Sequence, residues 1–133
     1  MKYELTPDLL TGNALIDTEH RQLFQAINQL TEDCEKGKGR DSLKQTAGFL
    51  VNYVAKHFAD EERLQTTSKY PGYPTHKQFH ESYKEKLSAA VGEIEKNGPT
   101  ISTLGKFNGV VAILVSHIRV EDKRLAAHIK QHS

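Results

Sequence analysis

The chain has 133 residues, 37% of them apolar, and its 18 Lys and Arg against 17 Asp and Glu leave a net charge of +1. That balance argues against a polybasic partner for nucleic acid or a membrane surface, and the apolar share argues against a disordered chain. The length suits one domain, 1–133, large enough to bury a core.

Residues 1–16 read as a non-helical N-terminal arm, interrupted by Pro7 and Gly12 and anchored by Leu9, Leu10, Leu15 and Ile16. Asp17 or Thr18 is the expected cap of a first helix. That helix repeats Leu23, Ile27 and Leu30 at helical spacing, with Phe24 beside them, and sets His20 on the same buried face. Cys34, the one cysteine, falls near its end; it excludes an internal disulfide and reads as an inert thiol. Gly37-Lys38-Gly39 stops the helix. Asp41 or Ser42 caps a second helix, whose stripe runs Leu43, Ala47, Leu50, Val54, His57, Glu61 and Leu64. A turn at 69–74 and a cap at Thr75 lead into a third helix, with His76, Phe79, His80, Tyr83, Leu87, Val91 and Ile94 on one face. Asn97-Gly98-Pro99 breaks it. Thr100 or Ser102 caps the fourth, which carries Phe107, Val111, Leu114, Ile118 and Leu125. No strand-like alternation occurs. The expected fold is all-α, an up-down-up-down four-helix bundle. No run approaches the roughly 18 apolar residues of a membrane span and none at the start resembles a signal peptide, so the expected location is cytoplasmic.

Seven polar residues fall on these apolar stripes: His20, His57, Glu61, His76, His80, His117 and Asp122. His128 and His132 lie in the charged tail and are expected to face solvent. A lone histidine on an apolar face is usually a satisfied core residue, and one His-x-x-x-His or His-x-x-x-Glu pair is a weak signal. Five histidines and two carboxylates facing one core are another matter. A buried carboxylate without a partner costs several kcal/mol, and a cation offsets that cost. Mixed imidazole and carboxylate donors suit iron, zinc or manganese. Seven donors are too many for one tetrahedral zinc. Two metals bridged by the carboxylates fit better, although the Glu-x-x-His pairs of ferritin-like di-iron enzymes are missing.

The ordered set His20, His57-x-x-x-Glu61, His76-x-x-x-His80, His117-x-x-x-x-Asp122 resembles the hemerythrin family, of the bacterial type. Its flanks agree: Ile16-Asp17-x-x-His20, His57-Phe58-x-x-Glu61-Glu62, Tyr70-Pro71 before His76, and His117-Ile118-x-x-x-Asp122-x-x-Leu125. The resemblance runs from about residue 10 to about residue 130 and implies two iron ions. His76, His80 and His117 would hold one iron, and His20 and His57 the other. Glu61 and Asp122 would bridge both, beside an oxo or hydroxo bridge. One coordination position then stays open for dioxygen, on the two-histidine iron. Leu114, one turn before His117, is the side chain expected to line the oxygen pocket, with Leu23, Phe24, Phe58 and Ile118 behind it.

Three departures from the family pattern stand out. There is no tryptophan, and Tyr3 stands where the arm often carries one. Gln65 occupies a position that is commonly apolar. The interval from His80 to His117 is long compared with the animal oxygen carriers. One geometric problem also arises. His117 and Asp122 are five residues apart, which an ideal helix separates by roughly 140°. The expected solution is a local π-bulge between them.

The function implied is reversible dioxygen binding at a non-haem di-iron centre, for storage or delivery, with dioxygen as the partner and neither nucleic acid nor membrane. An oxygen or redox sensing module of a larger protein is the alternative. Storage gains if the chain is intact and sensing if it was excised. Peroxide or nitric-oxide reduction ranks third, because no proton relay stands out, and the chain is expected not to be an enzyme.

Overall fold

Breaks at glycine-bearing turns divide the chain into helical rods. The computed structural model describes residues 3–132; Met1, Lys2 and Ser133, the ends of the expected domain and arm, lie outside the described residues. Helices α1 (Ala14–Glu35), α2 (Arg40–Thr67), α3 (Tyr73–Asn97) and α4 (Ile101–His117) follow one another. A π-helical segment, Ile118–Asp122, continues α4 into α5 (Lys123–Gln131). These last three form one rod, so the architecture is an all-α four-helix bundle, with no strand among the described residues. Each rod packs on the next, and α5 returns against α2.

The helix starts differ from the sequence expectation at three of four places. Asn13, not Asp17 or Thr18, caps α1, its side chain accepting from Ile16 N at 3.0 Å. Asp17 instead accepts from Thr11 N, Thr11 Oγ1 and Gly12 N at 2.9, 2.7 and 3.1 Å, so it ties the arm to the first turn. The arm also holds a single 3-10 turn at Pro7–Leu9. It is therefore shorter than expected and not wholly non-helical. α2 follows Gly39 and α3 follows Gly72, both without a side-chain cap, which puts Asp41, Ser42 and Thr75 inside first turns. Pro74 near the start of α3 supplies a preset φ where no N–H is needed. Thr100 does cap α4, in a reciprocal box with Thr103. Gly37 and Gly98, at φ +67° and +83°, close α1 and α3 in the left-handed conformation that glycine tolerates.

Two apolar clusters form inside the bundle. The larger includes Leu23, Phe24, Val54, Phe58, Tyr83, Leu87, Leu114 and Ile118. The smaller is Ile16, Leu125 and Ala126, with Leu64, Tyr70 and Ile129 packed against it. On α1, α2 and the fourth rod, His20, Glu61 and Asp122 fall between members of the two clusters. The arm is pinned across the larger one. Tyr3 N donates to Asn28 Oδ1 at 2.8 Å, Asn28 Nδ2 donates back to Tyr3 O at 2.7 Å, and the Tyr3 ring lies 6.4 Å from Phe24. The rod 101–131 is, by length and composition, long and apolar enough to cross a membrane, contrary to the sequence expectation. A third of its most apolar window is buried, and the same rod carries His117 and Asp122 into the bundle.

Candidate metal centre

The site starts from two residues one turn apart on α2. His57 and Glu61 share the inward stripe and are 0% and 1% exposed. Glu61 divides its oxygens. Oε1 lies 3.4 Å from His76 Nε2 and 3.2 Å from His80 Nε2. Oε2 lies 3.2 Å from His57 Nε2 and 3.7 Å from His20 Nε2. Asp122 does the same from the fourth rod. Its Oδ1 is 3.1 Å from both His76 Nε2 and His117 Nε2, and its Oδ2 is 2.9 Å from His20 Nε2. The structure thus brings all seven expected residues together. Their donor atoms form two groups, Glu61 with His76, His80 and His117, and Glu61 with His20, His57 and Asp122; within each group the atoms lie within 4.8 Å of one another.

The approach of His117 and Asp122 depends on the π segment. Widening one turn to i→i+5 bonding brings residue 122 beneath residue 117, which a regular helix does not do. The expected bulge is therefore present.

Outer partners set which ring nitrogen faces inward. His57 Nδ1–H donates to Glu19 Oε1 at 2.8 Å, and His80 Nδ1–H donates to Glu62 Oε2 at 3.0 Å. An ionised carboxylate only accepts, so these bonds leave both Nε2 atoms free to ligate. Glu19 is buried and also takes Lys56 Nζ at 3.0 Å. Aromatic rings clamp two other faces. Phe58 stacks on His80 and Phe79 on His117, each with centroids 3.8 Å apart and nearly parallel planes. Leu114 is buried in the larger cluster one turn before His117.

Electrostatics describe a cluster of competing charges. Burial pushes the His57 pKa down, but the Glu61 charge and the hydrogen bond to Glu19 outweigh it and raise it to about 10. Burial acts likewise on His76, and the close Asp122 and Glu61 carboxylates raise it to about 9. His20 is raised by the same balance. Burial pushes Glu61 and Asp122 up, yet the surrounding imidazoles hold both below the usual carboxylate range.

The fit to metal ions rests on unpaired atoms. Among the described residues, the buried side-chain atoms without hydrogen-bond partners include His20 Nε2, His57 Nε2, both Glu61 oxygens, His80 Nε2 and Asp122 Oδ1. Native proteins rarely leave such atoms unsatisfied. Cations at the two groups would satisfy them all, and imidazole with carboxylate donors suits iron.

Sequence reasoning missed Glu19, although it lies three residues after Ile16 and four before Leu23 on the buried face of α1, a spacing that could have found it; it reaches His57 across the α1–α2 interface. Glu62 entered only as a flanking letter. His128 was expected in solvent, but it is half-buried: its Nε2 donates to Ser68 O at 2.7 Å and its ring lies 5.2 Å from Tyr70. His132 is exposed. Cys34 is buried, and burial pushes its thiol pKa up, as an inert thiol requires.

Comparison with known proteins agrees with this geometry. The family model described as hemerythrin HHE cation binding domain matches residues 11–129. The chain is 37% identical over 84 residues to a myohemerythrin of Sipunculus nudus, covering 63% of this chain and 64% of that protein. It is 35% identical over 81 residues to a bacteriohemerythrin of Pseudomonas aeruginosa, covering 61% and 52%. A bacteriohemerythrin of Stenotrophomonas maltophilia matches at 28% over 131 residues, covering 94% and 80%. The chain thus spans between half and two thirds of the first two relatives. With the family model covering most of its length, the chain belongs to the hemerythrin HHE cation-binding domain family.

Proposed function

We propose that this chain, read as one domain over 1–133, binds dioxygen reversibly at a non-haem di-iron centre. His76, His80 and His117 would hold one iron and His20 and His57 the other, with Glu61 and Asp122 shared between the two. Family membership supports oxygen binding at a di-iron site in general. The observation that carries the reading for this chain is the division of both carboxylates, one oxygen toward each histidine group.

A pair of ferrous ions supplies the two electrons that reversible dioxygen binding requires. The chain's own residues do the rest. Glu19 and Glu62 fix the tautomers of His57 and His80. Phe58 and Phe79 hold two imidazole planes. Leu114, with Leu23, Phe24 and Ile118, walls the two-histidine side with carbon and excludes water and acids that would make binding irreversible. The role assigned is storage or delivery, a binding activity rather than catalysis, in the cytoplasm.

The test is an anaerobic iron count with a visible spectrum, before and after admitting air. About two irons per chain, following the shared-carboxylate arrangement, and an air-induced charge-transfer band that disappears under vacuum are expected. Rapid, lasting oxidation without an oxygenated species would point to sensing or peroxide reduction instead. Zinc or no metal would overturn the reading.

A further inference from the structure

Removing the atoms aimed at the centre from the unpaired set leaves four: Gln65 Nε2, Gln65 Oε1, His20 Nδ1 and His76 Nδ1. Gln65 is 0% exposed, with its whole carboxamide unpaired. A buried amide left so is costly, which is why such groups almost always have a partner. A histidine that ligates through Nε2 carries its proton on Nδ1 and needs an acceptor there. His57 and His80 have one in Glu19 and Glu62; His76 has none among the described residues.

Three observations put Gln65 on the His76 side of the centre. Gln65 is one turn beyond Glu61 on the stripe that begins at His57. Glu61 Oε1 lies abreast of His76 and His80 across the antiparallel α2–α3 pair, so the next turn of α2 runs toward the start of α3, where His76 sits. Tyr70 joins the two: its N donates to Gln65 O at 2.9 Å, and its ring stands edge-on to His76 at 6.4 Å.

We infer that Gln65 is a positioning residue for the three-histidine metal site, its Oε1 serving, through one buried water, as the acceptor for His76 Nδ1–H. A water there accepts from the imidazole and donates to the carboxamide, the bridging role that buried waters commonly take. The bond fixes the His76 tautomer and makes its Nε2 a stronger donor. An apolar side chain at position 65 offers no such acceptor. This inference rests on the metal-centre reading above.

The test compares wild type, Gln65→Met and Gln65→Glu, each with 15N-labelled histidine and loaded with diamagnetic zinc. Methionine keeps the volume and removes the amide; glutamate restores an acceptor. In wild type the Nδ1–H signals of His57, His76 and His80 are expected downfield and slow to exchange. Gln65→Met should move the His76 signal upfield and speed its exchange, leaving His57 and His80 unchanged as internal controls. Gln65→Glu should restore it. Competition with a chelator should show about 10-fold weaker metal binding in Gln65→Met, in line with other outer-partner losses. An unmoved His76 signal, a shift at His20 instead, or a Gln65→Met protein that is more heat-resistant with unchanged metal affinity would overturn the inference alone. Failure of the wild type to take up metal would overturn both this inference and the metal-centre reading.

Discussion

The two ends of the bundle that flank the centre are built differently. On one side stand Leu23, Phe24, Phe58, Leu114 and Ile118, all 2% exposed or less and all carbon at their tips. On the other, Ile16 and Leu125 share the interior with the Gln65 amide, beneath a half-buried Tyr70 and His128. The same seven donors are therefore bounded by a dry wall and a hydrogen-bonding wall. The dry wall suits the dioxygen site proposed above, which would have to admit an apolar gas and refuse water. The polar wall, together with Glu19 and Glu62, suits the task of fixing imidazoles. Folding one chain around both demands is possible because each wall is a different turn of the same helices.

The difference between the walls is removed altogether if the centre they flank is lost. Glu61→Ala, which takes an oxygen from both histidine groups, is expected to abolish loading of both metals, and His57→Ala to abolish oxygen binding while lowering the melting temperature, since site formation and folding are linked. Iron analysis and visible spectra check both; unchanged iron content in either variant would contradict the ligand assignment. Damage to the dry wall comes next. Leu114→Ala is expected to cost about 2–5 kcal/mol in chemical denaturation, as a buried leucine truncation does, and to hasten oxidation in air.

A pH series separates the centre from both walls. The folded-state pKa values of His57 and His76, about 10 and about 9, lie above the ordinary 6.5. Protonation of these groups therefore stabilises the metal-stripped protein fully below pH 6.5, and that stability is lost as the pH rises through 9 to 10. Metal reverses the sign, because protons compete with it for the same Nε2 atoms, so the loaded protein should weaken as the pH falls. Melting temperature against pH, with and without a chelator, should give two curves of opposite slope.

Smaller effects belong to the hydrogen-bonding side. Glu19→Gln is expected to weaken metal binding about 10-fold, or about 1.4 kcal/mol, read by chelator competition. The exposed end of its Lys56 pair contributes little to that loss. At the turn below Tyr70, Lys69 is held at φ +56°, a conformation that favours glycine. Lys69→Gly is expected to stabilise the protein by about 1 kcal/mol or less, measurable as a small rise in melting temperature with metal binding unchanged.

Much of this molecule is legible in one dimension because a helix repeats itself. Spacings of three and four put His57 with Glu61 and His76 with His80 before any coordinates are consulted, and the five-residue interval from His117 to Asp122 announced its own anomaly, which the π segment resolves. The helix starts were less legible. Asp17 looks like a cap but accepts from Thr11 and Gly12, because the choice among neighbouring polar residues depends on the path of the chain before the helix.

The sequence by itself determined the helical rods, most of the faces they bury and the seven candidate donors, since helical periodicity brings these forward, the 117–122 interval excepted. Only the tertiary structure decided which oxygen of Glu61 meets which histidine, that Glu19 reaches His57 from a neighbouring helix, and that Gln65 is buried with an unpaired amide. Those facts depend on the rotation and level of one helix against another. Packing of all four rods sets those two quantities, and no single stretch of sequence encodes them.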